Sequence, residues 1–204
     1  MADPQRRRMT AAERREQLVE IARVAFAERG FDGVSVEEIA SRAEVSKPVV
    51  YEHFGGKEGV YAVVVAREVQ ALLGSLRSSL ASGGPRELLE QATLALLDYV
   101  DSSPDGFRIL VRDRPIGADG GSYVSIISDV ASRVEGILVA EFESRGYDAS
   151  TAPLYAQMLV GMVGTTGQWW LDDRTLDKQA VSAHLVNLAW NGLAGLETEP
   201  RLSR

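Results

Sequence analysis

Two short helical patterns separated by a tight break, Val34 to Lys57, constrain this 204-residue chain most. Ser35 and Glu38 have the spacing of a capping box, in which a hydroxyl and a carboxylate satisfy reciprocal backbone donors at a helix start. Val36, Ile39, Ala40 and Ala43 then form an apolar face, and the small Ala40 lets a second helix come close. The break at Glu44-Val45 leads to Ser46, a favourable N-cap. Pro48 falls in the next first turn, where its missing N–H loses nothing. A further helix is expected over about Lys47 to His53, with Val50 and Phe54 inward and Val49, Tyr51, Glu52 and His53 nearer the surface. The expected unit is a helix-turn-helix.

The rest of the chain supports an all-α fold of about nine helices. Thr10 with Glu13 caps a first helix whose Leu18, Ile21, Ala22, Ala25 and Phe26 recur at helical spacing. Gly30 suits its left-handed end, and Phe31 can fold back on the stripe. From Lys57 a long helix runs without a linker to about Leu80. Helices then follow over Pro85 to Val100, Phe107 to about Arg112, Tyr123 to Arg145 and Pro153 to Leu171. A last helix, capped by Asp177 or Thr175, runs to about Leu196. Ser102 to Gly106 reads as a turn, and Pro115 to Ser122 as a flexible loop. Two domains are expected: residues 1–56, an arm and three-helix head, and residues 57–204, a helical body.

Composition narrows the chemistry. No cysteine is present, which excludes disulfides and thiolate metal sites, and the two histidines are far apart. No catalytic elbow, dinucleotide fingerprint or phosphate loop occurs: Gly161, Gly164 and Gly167 have the wrong spacing, and Gly56-Lys57 lacks the flanking residues. No enzyme, metal or cofactor is therefore expected. No apolar run approaches the roughly 20 residues that span a bilayer, and no secretory leader is evident. A cytoplasmic, nucleoid-associated protein is the expectation. The net charge of −7 looks unsuited to nucleic acid until it is divided. Residues 1–57 carry ten Lys/Arg and ten Asp/Glu, so all of the acidity belongs to the body. A neutral head still binds phosphates if its basic groups share a face.

The outward residues have the right chemistry. Lys47 can meet a phosphate or reach guanine, while Tyr51 and His53 can donate to phosphate oxygens. Val49 can touch a thymine methyl, and Glu52 can accept from a cytosine amino group. Lys57 adds charge beside the N-terminus of the long helix. Ser35 and Ser46 complete the candidate DNA-binding set. Arg6, Arg7 and Arg8 read either as a groove-seeking arm or as a solvated tail.

Residues 14–60 resemble the DNA-binding domain of the TetR family of bacterial transcriptional repressors. The resemblance rests on the Phe26, Gly30, Phe31 helix end, the Ser35 cap, Ala40, the Ser46-Lys47 turn, Tyr51, the His53-Phe54 pair and Lys57. It implies three reader helices, a ligand-binding and dimerising body of about six more, and backbone-contact roles for Tyr51, His53 and Lys57. Val49, Glu52 and Gly56 depart from the family pattern.

In the body, Gly161, Gly164 and Thr165 form a small-residue stripe with Leu154, Trp170, Leu185, Leu188 and Leu193 nearby. Two such helices per subunit suit a four-helix homodimer interface. Tyr99, Phe107, Leu110, Tyr123, Ile127, Met158, Met162 and Trp169 are the candidate lining of a pocket for a small hydrophobic effector. Each also reads as plain core. Arg108 and Arg112 either meet an anionic ligand group or pair with carboxylates. The expected protein is a homodimeric repressor of an inverted-repeat operator, released by its effector. The alternative is an activator, or a helical interaction module without ligand-released repression.

Overall fold

The computed structural model describes residues 9–79, 83–112, 123–198 and 200. Among these the chain is all-helical, with nine α-helices and one short 3-10 turn. The head comprises α1 (Ala11–Arg29), α2 (Val36–Arg42) and α3 (Lys47–Phe54). The body comprises α4 (Lys57–Ser79), α5 (Pro85–Ser102), α6 (Pro104–Arg112), α7 (Tyr123–Arg145), α8 (Ala152–Asp172) and α9 (Lys178–Ala194).

The caps act largely as their residue types require. The Thr10 hydroxyl accepts from the Glu13 amide at 3.2 Å, and the Glu13 carboxylate accepts from the Thr10 amide at 2.7 Å. At α2 only the Ser35 half of the box forms, at 3.1 Å. Glu38 instead turns its carboxylate to Arg29 and Arg42, each at 2.8 Å. The α2–α3 break is closed by Glu44 in the left-handed region, φ 53°, with the Val45 amide reaching back to the Ala40 carbonyl at 2.9 Å. Asp177 caps α9 by accepting from the Ala180 amide at 2.8 Å. One boundary differs from expectation. The turn read over Ser102 to Gly106 is already helix from Pro104, because proline suits the first turn and the Ser103 carbonyl accepts from the Phe107 amide at 3.0 Å. The Pro115 to Ser122 loop and the Arg6 to Arg8 arm lie outside the described residues.

One core runs from head to body. Leu18, Phe26, Ile39 and Val50 pack with Val60, Tyr61 and Val64 of α4, and the same cluster continues through Leu72, Leu97 and Phe107 to Trp170 and Leu185. Phe26, Phe31 and Tyr61 form an aromatic triad with centroids 4.9 to 6.2 Å apart, two of its pairs edge-on. Such pairs add about 1 kcal/mol each beyond burial. A smaller cluster around Leu138, Phe142, Ala152 and Ala156 joins α7 to α8. By length and composition α4 would suffice to cross a bilayer, contrary to the run-length reading. Its buried residues instead face α1, α5 and α6, and Arg67 and Glu68 at its middle engage α1 and α5. It is the strut on which the head is mounted.

Candidate nucleic-acid interface

Helix α3 buries Val50 and half-buries Val49 and Phe54 against α1, α2 and α4. Val49 packs partly against the core and remains partly accessible. The opposite side is open: Ser46, Lys47, Tyr51 and Glu52 are exposed, and His53 is half-buried. Tyr51 is 53% exposed, its ring standing out from the head. Ser46 occupies the N-cap position, yet its hydroxyl makes no cap bond.

Two glycines shape the joint between reader and strut. Gly55 ends α3 at φ 73° and Gly56 follows at φ 136°, conformations that L side chains rarely adopt. The Gly56 departure from the family pattern is thus a backbone requirement. Gly59 meets a different limit: a Cβ there would lie 1.8 Å from the Phe54 carbonyl oxygen. The first turn of α4 can seat against the end of α3 only without a side chain at 59.

Three of the described basic residues of the head are held. Lys57 is half-buried, donates to the Phe31 carbonyl at 3.0 Å, and sits 4.0 Å from that ring's centroid. It clamps the α1–α2 turn to the start of α4 while keeping further N–H donors. Arg15 lies over the Phe54 ring at 4.9 Å, next to the reader's C-terminus, a basic group the pattern of α1 did not single out. Lys47 pairs with Glu37 of α2. That pairing raises the lysine and lowers the carboxylate relative to their ordinary pKa values.

The junction between head and body is a buried polar cluster. Glu68 of α4 is 7% exposed and accepts from the Tyr99 hydroxyl at 2.6 Å and from Ser103 at 3.4 Å. Its other oxygen faces Arg23 of α1 at 4.0 Å. A Cβ on Gly106 would fall 1.9 Å from the Glu68 carboxylate, so this glycine makes the room. Burial, then the Glu68 carboxylate, pushes the Tyr99 hydroxyl above the usual tyrosine range. Arg112 of α6 donates to the Ala27 carbonyl of α1 at 3.2 Å. A half-open cavity of about 740 Å³ lies beside the cluster, walled by Val19, Arg23, Arg67, Glu68, Tyr99 and Lys178.

The expected ligand set does not assemble as one lining. Tyr99, Phe107 and Leu110 are closed in the core, and Met162 packs half-buried against it. Of these four only Tyr99 lines the cavity, which is mixed in polarity rather than apolar. Met158 and Trp169 stand outward, 56% and 48% exposed. The side chains of Tyr123 and Ile127 lie outside the described residues. Arg108 is paired with Asp105 at 3.2 Å and Asp172 at 3.7 Å, so neither it nor Arg112 waits for an anion.

The expected interface set is divided by helix phase. Leu154, Met158, Gly161, Thr165 and Trp169 share the outward face of α8, and Leu188 is 66% exposed on α9. Gly164, Trp170 and Leu185 face the protomer's own core instead, and Leu193 is half-buried. Adjacent residues are about 100° apart on a helix, which sends Trp169 out and Trp170 in. The Trp170 indole N–H donates to the Leu176 carbonyl at 2.8 Å, and Arg174 covers its ring at 3.7 Å.

This arrangement, a solvent-facing second helix on a three-helix head carried by a helical body, defines a helix-turn-helix DNA-binding regulator. Comparison with known proteins places it more closely. Residues 18–64 match the bacterial regulatory proteins of the tetR family, and residues 85–192 match the tetracyclin repressor-like C-terminal domain. The chain belongs to the TetR family of transcriptional regulators. It is 31% identical over 193 residues to the HTH-type transcriptional activator FasR of Mycolicibacterium smegmatis, covering 92% of this chain and 86% of that protein. It is 26% identical over 178 residues to the HTH-type transcriptional repressor BepR of Brucella suis, covering 81% and 84%. A solved TetR-like regulator from a Rhodococcus species superposes with a TM-score of 0.72 at 27% identity, covering 93% of this chain and all of that one.

Proposed function

We propose that the protein is a homodimeric, ligand-responsive repressor that reads an inverted-repeat operator through α3. The exposed face of Ser46, Lys47, Tyr51 and Glu52 on a helix anchored at both ends carries this reading. Two such helices related by a two-fold axis enter successive major grooves, with half-sites about one helical turn apart. The axis is supplied by the outward apolar face of α8 and α9, where Leu154, Met158, Trp169 and Leu188 would otherwise remain wet.

The effector is a small hydrophobic molecule that enters between α5, α6 and α8. Tyr99, Phe107 and Leu110 are closed here, so entry parts α5 from α6. That displacement pulls on the two ties to α1, Arg112 to Ala27 and the Glu68 cluster, and α1 carries the reader with it. An effector changes DNA binding only by the difference in its affinity for the two states, since equal affinity shifts nothing.

Activation is the second reading, favoured by the relative named as an activator. The same dimer serves either sign, because the sign depends on where the operator lies relative to the promoter. Gel shift on the DNA upstream of its own gene, paired with transcription in vitro from that promoter, tests both. Repression predicts a shifted complex and fewer transcripts with added protein, relieved by a small hydrophobic compound. More transcripts would establish activation. A shift unchanged by any hydrophobic compound, and no small molecule released on denaturation, would refute effector control.

A further inference from the structure

Lys47 is the one lysine on the described face of the reader, and it does not stand free. Its ammonium is paired with Glu37, in the first turn of α2, and both side chains are about half exposed. Glu37 therefore reaches across from the supporting helix to the groove-facing side of the reader. The other carboxylate of α2, Glu38, is occupied elsewhere, with Arg29 and Arg42, while Glu52 lies exposed on α3 itself.

The pairing changes what kind of contact Lys47 can make. A free ammonium is drawn to any phosphate, and its association releases condensed counterions from the duplex irrespective of sequence. An ammonium already neutralised by a carboxylate releases none. It keeps its directional chemistry, because an ammonium has three N–H donors and Glu37 needs only one. The remaining donors fit the O6 and N7 acceptors of guanine in the major groove. We infer that Glu37 is a specificity-determining residue: by holding Lys47 it suppresses sequence-blind phosphate binding and leaves the lysine to read a base edge. The head's zero net charge over residues 1–57 agrees with such a design. The inference rests on α3 being the DNA reader.

A double-mutant cycle on a random-sequence duplex of about 30 base pairs tests it, using the full chain over a range of salt concentrations. Both positions are exposed, so the substitutions leave the core untouched. Glu37→Gln should raise random-duplex affinity on the order of tenfold at about 0.1 M salt, and steepen the salt dependence by about 0.9 per protomer. In a Lys47→Met background the same Glu37→Gln change should do little. No gain with Glu37→Gln, or a loss, overturns the inference. A gain that persists undiminished beside Lys47→Met overturns it as well, because Glu37 would then act by general repulsion of phosphates. If none of the four proteins binds the duplex at low salt, the assignment of α3 as reader falls together with the role of Glu37.

Discussion

Replacing Tyr99 with phenylalanine removes one oxygen atom from the junction of head and body, and its cost can be worked from the structure. The hydroxyl donates at 2.6 Å to Glu68, and both residues are more than nine-tenths buried. Without it, that carboxylate oxygen keeps only the Ser103 hydroxyl at 3.4 Å, beyond a good hydrogen-bond length. Gly106 and Phe107 of α6 close one side of the pair, and the half-open cavity on the other lets water recover only part of the lost bond. Hydrogen bonds to buried charged groups contribute about 1.5–3 kcal/mol, and the stranded acceptor adds a desolvation penalty, so a loss of about 2 kcal/mol is expected. For a chain of this size that is a fall in Tm of about 4–8 °C. Calorimetry at fixed protomer concentration reads it without interference from dimer association. The diagnostic arm is the double variant Tyr99→Phe with Glu68→Leu. Removing both partners leaves no stranded charge, so the double variant should be more stable than Tyr99→Phe alone. A Tm within 1 °C of wild type for Tyr99→Phe, or strictly additive losses in the double variant, would refute the reasoning.

Three further outcomes follow from the same geometry. Gly59→Ala places a methyl against the Phe54 carbonyl, which cannot swing aside as a side chain could. It should cost about 3 kcal/mol and abolish operator binding, read by thermal unfolding and gel shift, and an unchanged Tm would show that α4 is not seated as described. The Tyr99 hydroxyl is held above its ordinary pKa, so its protonated form stabilises the fold at all pH values below that ordinary value and the benefit is lost as pH rises beyond it. From about pH 10 upward, wild type should therefore lose Tm more steeply than Tyr99→Phe, and parallel curves would contradict this. Leu188→Asp lies at a 66% exposed position and should leave the protomer's fold intact to within about 0.5 kcal/mol. It should nevertheless convert the proposed dimer to monomer in sedimentation, and an unaltered dimer would move the interface elsewhere.

Helices and their starts were legible in the sequence because period and caps are local. Thr10, Ser35 and Asp177 each satisfy a backbone donor within three residues, and the apolar stripes of α1 and α4 repeat at the helical period. At Pro104 the sequence is ambiguous, because Pro-Asp-Gly signals a turn and a helix start equally well and only the Ser103 carbonyl's partner decides between them. The division of α8 was harder. A helix with Leu, Met and Trp on several sides has no clear polar face, and which tryptophan is inward depends on where α5 lies. Gly167 settles it, since a Cβ there would touch Leu96 of α5 at 3.2 Å.

The site was legible to the extent that it is local. Ser46, Lys47, Tyr51 and Glu52 are adjacent in sequence and lie on the exposed side of one helix. Glu37 was not legible as Lys47's partner, because their approach is set by the angle between α2 and α3. Nor was Arg112 as a tie to Ala27, 85 residues away. Contacts of that kind leave no mark on periodicity or composition, and the second of them ties the body to the head.

The central claim is that this chain reads DNA as a two-fold dimer through the exposed face of α3. A hydroxyl-radical footprint on the DNA upstream of its gene, made with wild type and with the Tyr51→Ala, His53→Ala double variant, tests it most directly. The account predicts two equivalent protected blocks related by a dyad, about one helical turn or a multiple apart, and loss of both in the variant at equal protein concentration. A single unsymmetrical block, or a footprint that the variant leaves intact, would contradict it.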